Sequence, residues 1–192
     1  WSPDGRHILY VSGDGKKEIL SSINLVTIDG VEQTRLWEDT TTPSLGLDFR
    51  WGWPPEGNRI VFIAESHIWT INVDGTGLNK VTSVPKKYGS VGFSSDESRI
   101  IFQADGDVHI MNIDGTDQTN LTNTPYEERG GRWNRDKNLI QYTVVEVDTG
   151  GPVYHTLVMK EDGTEKTWIA DKPVSFIGEH NWKNQVDSAS DD

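Results

Sequence analysis

Four stretches of this chain share one pattern, in which an aromatic residue is followed by a turn and then by alternating apolar residues. They are "WSPDGRHILYV" from Trp1, "WPPEGNRIVFI" from Trp53, "FSSDESRIIFQ" from Phe93 and "WNRDKNLIQYT" from Trp133, spaced by 52, 40 and 40 residues. A second landmark, Asp-Gly closing an apolar run, recurs at Asp29, Asp74, Asp114 and Asp162. An aliphatic residue stands seven positions after each of these aspartates, at Leu36, Val81, Leu121 and Ile169, and a proline follows at Pro43, Pro85, Pro125 and Pro173. Repetition at this period limits the fold more tightly than composition does. A unit of this size buries its apolar face only by stacking on its neighbours.

Each unit decodes as four short antiparallel strands. In Ser2-Pro3-Asp4-Gly5 the proline presets φ, the aspartate hydrogen-bonds local backbone and the glycine sits where a side chain is costly, so the stretch is a tight turn. Glu97 and Lys137 stand where that glycine is expected, which predicts that those turns have diverged in geometry. The second strands are "HILYVS", "RIVFIA", "RIIFQA" and "LIQYTV", rich in β-branched and aromatic residues. The third strands are "INLVTI", "IWTINV", "VHIMNI" and "YHTLVM", each followed by an Asp-Gly hairpin. No window holds a sustained helical period, and a β-sandwich with coincident turns is the competing all-β architecture.

Repeats with "WSPDG", an apolar run ending in "INVDGT" or "MNIDGT", and "LTNTP" resemble the TolB-type, WD40-like β-propeller repeat over residues 1–182. The resemblance implies an all-β propeller of four-stranded antiparallel blades, with four units at 1–52, 53–92, 93–132 and 133–182 and an acidic tail at 183–192. Blades of this kind serve unrelated proteins, so the resemblance speaks for fold more than for activity. In that family the innermost strand ends at the tryptophan of "WSPDG". The first unit therefore lacks its innermost strand, and "IADKPVSFIGEHNW" near the C-terminus offers one that ends at Trp182. Three completions of the split blade are open: closure within one chain as a four-bladed ring, exchange of ends between two chains as an eight-bladed ring, or membership of a longer propeller. The expected assembly is the homodimer with exchanged ends.

The charge balance narrows the partners. Thirty acidic against eighteen basic side chains give a formal charge of −12, which repels nucleic acid and anionic membrane surfaces. The absence of cysteine removes disulfides and thiolate metal sites, and fits cytosol and periplasm equally. Resemblance to the periplasmic TolB protein implies a periplasmic or secreted location. Partners are thus expected to be a second copy, a protein or a carbohydrate, with no nucleic acid and no membrane insertion.

Blade-to-blade connections, and the loops between second and third strands, which are long in the terminal units ("GDGKKEILSS" and "EVDTGGP" at 146–152), vary without disturbing a core and commonly bind ligands. The polar residues just before each aromatic landmark are expected at the channel mouth: Asp48, Arg50, Lys87, Tyr88, Glu128, Arg129, Glu179 and His180. Tyr88, Tyr126 and Phe176 would add aromatic anchoring area. Trp1, Trp53, Phe93, Trp133 and Trp182 are expected as packing between blades. There is no G-x-S-x-G, H-E-x-x-H or phosphate loop, and "YGSVG" has the wrong spacing for a nucleophile elbow. His7, His67, His109, His155 and His180 form no ligand pattern in sequence, and "DGD" at 105–107 reads as a turn rather than a calcium loop. No cofactor and no metal is expected. The expected function is a non-enzymatic binding scaffold. The rival readings are an enzyme or enzyme-associated propeller, resembling oligogalacturonate lyases or peptidase gates, and a lectin-like glycan binder.

Overall fold

The computed structural model describes residues 1–13, 20–38, 50–54, 57–134 and 138–169. Their strands form four antiparallel sheets in chain order. The first contains β1 (His7–Gly13), β2 (Leu20–Thr27) and β3 (Gln33–Glu38). The second contains β4 (Trp51–Gly52), β5 (Arg59–Ala64), β6 (His67–Asn72) and β7 (Asn79–Lys80). The third contains β8 (Tyr88–Phe93), β9 (Arg99–Ala104), β10 (Asp107–Asn112) and β11 (Thr119–Asn120). The fourth contains β12 (Glu127–Asn134), β13 (Leu139–Asp148), β14 (Gly151–Lys160) and β15 (Thr167–Trp168). Each sheet is a meander of neighbouring strands, so four sheets replace the two of a sandwich. The segment ending at Trp182 that was expected to complete the first blade lies outside the described residues.

Period-two alternation in the second strands sends side chains to opposite faces. Ile60, Phe62 and Ala64 meet Leu9, Ile23, Leu25, Leu36 and Trp37 of the first sheet. Val61, on the other face of β5, joins Ile68 against Val91, Phe93, Ile100 and Phe102 of the third. Ile101, Val108 and Ile110 then meet Ile140, Tyr142, Leu157 and Met159 of the fourth. The middle sheets are thereby buried on both faces, and the clusters join the sheets in series. Phe62 is wholly buried; truncating such a side chain to alanine costs about 3–5 kcal/mol.

The turn chemistry repeats with the packing. Asp29, Asp74, Asp114 and Asp162 each accept a backbone N–H two residues on and the hydroxyl of a nearby threonine. Those hydroxyls hold the four carboxyls below the ordinary aspartate value. The following glycines all have positive φ, closing the hairpins with a left-handed residue. The β5–β6 and β9–β10 turns use pairs of positive-φ residues, Glu65-Ser66 and Asp105-Gly106, so "DGD" is a tight turn as expected.

Three expectations need correction. The turn at Glu97 has not diverged. Ser94 and Asp96 repeat the wiring of Ser2 and Asp4, and Glu97 adopts φ +60° where Gly5 has +71°. The shared hydroxyl and carboxylate contacts impose the turn, and the non-glycine residue takes the strain. Lys137 lies outside the described residues. Residues 146–152, expected as a long loop, are mostly strand: β13 and β14 pair from Leu139 with Lys160 to Asp148 with Gly151. Val145, Val147 and Val153 carry the strand-forming pattern up to the turn and out of it. Trp1 is exposed rather than packed between sheets, since no described strand precedes β1 to cover it. Phe93 is buried, and Trp53 and Trp133 are half-buried against their clusters, while Trp182 is not among the described residues.

The inner edges of the sheets approach closely. A Cβ on Gly52 would lie 2.7 Å from the Gly92 Cα, and one on Gly131 would lie 2.8 Å from the Val108 side chain. Glu97→Gly is expected to raise stability by about 1 kcal/mol through relief of the left-handed strain, whereas Gly52→Ala should lower it by about 1–3 kcal/mol through backbone overpacking. Urea unfolding of the two variants checks both signs.

Candidate functional site

The edge strands β4, β8 and β12 of three successive sheets line a cleft of about 560 Å³. Its walls are Arg50, Trp51, Gly52 and Trp53; Ser90 to Ser95; and Gly130 to Trp133. In a chain with a large negative charge, the charged residues lining this cleft, among the described residues, are Arg50 and Arg132. Trp51 is 44% exposed, whereas Trp53 turns back to donate its ring N–H to the Gly57 carbonyl. The hydroxyl oxygens of Ser90 and Ser95 are buried without a hydrogen-bond partner. The glycines let backbone form the floor, because a side chain on Gly52 has no room.

The expected site residues divide sharply. Arg50 lines the cleft. Lys87 is exposed, and Tyr88 is half-buried, its ring edge-on to Phe102 and its hydroxyl donating to the Val84 carbonyl. Arg129 is exposed and forms a two-pronged ion pair with Glu127. Tyr126 is half-buried, its backbone N–H donating to the Thr124 hydroxyl. Asp48, Phe176, Glu179 and His180 lie outside the described residues. Glu128, expected at a ligand-facing surface, is wholly buried between the third and fourth sheets.

A bulge explains the misplacement. Pairing slips between Tyr88 and Val91 and again between Arg129 and Arg132, so three steps on the inner strand oppose two on its neighbour. One extra residue reverses the facing of every side chain before it. Glu128 lies before its bulge and so faces the seam, whereas Arg132, Trp51 and Ser90, also just before the aromatic landmarks, line the cleft and were not among the expected residues. The "WGW" triplet and the glycines before Phe93 and Trp133 were the available signal.

A second polar cluster occupies the seam behind the cleft wall. The backbone N–H of Glu128 donates to the Gly106 carbonyl at 2.6 Å, and the Thr124 hydroxyl donates to Glu128 Oε1. Glu128 Oε2 is buried and has no donor. Asp107 accepts from Asn120 Nδ2 at 2.8 Å and from the Thr122 hydroxyl at 3.2 Å. Burial pushes the Glu128 carboxyl up to about 7, with Asp107 adding to the shift and Thr124 opposing it. Burial also pushes Asp107 up, but hydrogen bonds from Asn120, Glu128 and Thr122 outweigh it and hold that carboxyl below its ordinary value.

Asp107 belongs to a series seven residues before each hairpin aspartate: Ser22, His67, Asp107 and His155. His67 Nδ1 lies 2.9 Å from the Thr82 carbonyl, and His155 Nε2 lies 3.3 Å from Glu146. His7, His67, His109 and His155 fall in four different sheets. Among the described residues no group of three His, Asp or Glu side chains is placed to hold a metal ion.

Among solved structures, the chain superposes on a TolB from Agrobacterium tumefaciens with a TM-score of 0.67 and 16% identity, covering 87% of this chain and 62% of that one. The fold is that of a TolB-like β-propeller. TolB from Acinetobacter baumannii agrees, with a TM-score of 0.62, 16% identity, and coverage of 83% and 39%. An oligogalacturonate lyase in complex with manganese matches with a TM-score of 0.65 and 13% identity, covering 90% of this chain and 52% of that one. The chain thus spans less than two thirds of the length of each TolB it matches. No protein-family model and no curated protein sequence matches it. Within the TolB-like fold, β4, β8 and β12 are the inner strands, and the cleft lies where the family resemblance puts the central channel.

Proposed function

We propose that the protein is a non-enzymatic binding scaffold whose inner cleft takes an extended, carboxylate-bearing segment of a protein partner. The observation that carries this reading is the cleft's charge: Arg50 and Arg132 line it, with no carboxylate among its described lining residues, beside the partly exposed Trp51. Arginine and tryptophan dominate the energetics of many protein interfaces because each combines large contact area with directional or electrostatic bonding. The cleft volume lies within the range of small-ligand sites, so it suits a few residues of an extended chain rather than a folded surface.

The likeness to TolB supports placing the protein in the periplasm or outside the cell, and the lyase neighbour makes acidic oligosaccharides the rival ligand class. The assembly we propose is a homodimer. Tyr10 occupies the repeat position of Phe62, Phe102 and Tyr142, each of which packs on the preceding sheet, and a sheet from a second copy would cover it in the same way.

Tryptophan fluorescence during titration with an acidic peptide, and with the same peptide bearing Asn and Gln in place of Asp and Glu, tests the binding reading. The acidic peptide is expected to bind, and Arg132→Ala should weaken it by about tenfold or more through loss of a charge-assisted contact. Equal binding of the two peptides, or indifference to Arg132→Ala, would sink the proposal. Light scattering across a dilution series tests the assembly: a persistent mass of two chains is expected, and a monomer mass would refute the homodimer.

A further inference from the structure

The backbone N–H of Glu128 is bonded to the carbonyl of Gly106, the residue before Asp107, so the buried carboxyl of Glu128 and that of Asp107 share the seam between two sheets. Two carboxylates in that position repel, and neither can donate to the other. One proton between them turns the repulsion into a hydrogen bond and gives the carboxyl of Glu128 the bonding it otherwise lacks at Oε2. Each remaining contact fixes the pair rather than neutralising it. Asn120 and Thr122 occupy Asp107, and Thr124 occupies the other oxygen of Glu128.

The groups facing the pair come from every element around it. His109 of β10 acts on Asp107 and is held below its ordinary value by burial. Tyr142 of β13 is buried close to Glu128, which together with burial pushes its hydroxyl up. Lys166, in the turn before β15, is half-buried and faces both carboxyls, with burial pushing its ammonium down. This single cation offsets one carboxylate, not two.

We propose that Glu128 and Asp107 share a proton that clasps the start of β12 to the β9–β10 turn, and that its loss loosens the wall of the inner cleft. The mechanical link is short. The Glu128 N–H is bonded to Gly106, and the same strand continues through Gly130, Gly131 and Arg132, which line the cleft. An ionised pair places two negative charges in a dry seam. Opening it to water relieves that repulsion and releases the strand start.

The sign of the pH dependence follows from the raised carboxyl. The stabilisation is fully present below the ordinary glutamate value of 4.5 and is lost as pH rises through about 7. Carbon-13 NMR of side-chain carboxyls in the wild-type protein should show Glu128 titrating near 7, and hydrogen exchange at its amide should lose protection by about tenfold or more between about pH 5 and about pH 8, after correction for intrinsic exchange. Glu128→Gln, which stays neutral and keeps a donor, should flatten the pH dependence of the thermal midpoint in that window. A Glu128 titration near 4.5 overturns the proposal, as does a Glu128→Gln variant with the wild-type pH dependence. If Glu128→Gln does not fold, the wild-type titration and the exchange at the Glu128 amide decide the matter.

Discussion

Phe62, Phe102 and Tyr142 stand at one repeat position, and each is covered by the sheet that precedes it in the chain. The neighbouring position holds Leu9, Val61 and Ile101, which face the following sheet. This two-faced interlock is the constraint on which the other features depend. A small four-stranded sheet has little interior, and it becomes stable when both faces leave water. The series changes character at its end. In the fourth sheet the Leu9, Val61 and Ile101 position is taken by Gln141, which is exposed.

Stacking sheets by their faces brings their inner edges together, and that convergence creates the cleft. Backbone must pass backbone at Gly52 and Gly92, so the inner strands carry small residues where the second strands carry large ones. The same convergence gathers Arg50 and Arg132 from sheets separated by a whole repeat. Their positive charge in an acidic chain is a product of arrangement rather than of composition. The seam behind the cleft shows the reverse effect, since stacking there buries the Glu128 carboxyl, which an isolated sheet would leave in water, close to the half-buried Asp107.

Much of the architecture was legible because it rests on short-range chemistry. Pro3, Asp4 and Gly5 define a turn whatever lies around them, and the hairpin aspartates bond to backbone two residues away. Alternation in "RIVFIA" and "RIIFQA" marks strands buried on both faces. The Glu97 turn was misjudged because glycine was treated as its cause, when the hydroxyl and carboxylate contacts of Ser94 and Asp96 hold it. The site was less legible. Arg50 was identified, but Arg132, Trp51 and Ser90 were missed, because which residues of neighbouring inner strands meet in one cleft is set by the convergence of three sheets.

The sequence by itself determined the repeat, its strands and hairpins, the resemblance to TolB-type blades and the acidic charge, because turns and alternation are written within a few residues. Only the tertiary structure decided which polar groups share a space. Glu128 and Arg132 are four residues apart, yet one is buried beside Asp107 and the other opens onto the cleft with Arg50. Whether a carboxyl keeps its charge, or a guanidinium meets a ligand, depends on the desolvation imposed by neighbouring sheets. That is a property of packing between distant segments, and no short stretch of chain encodes it.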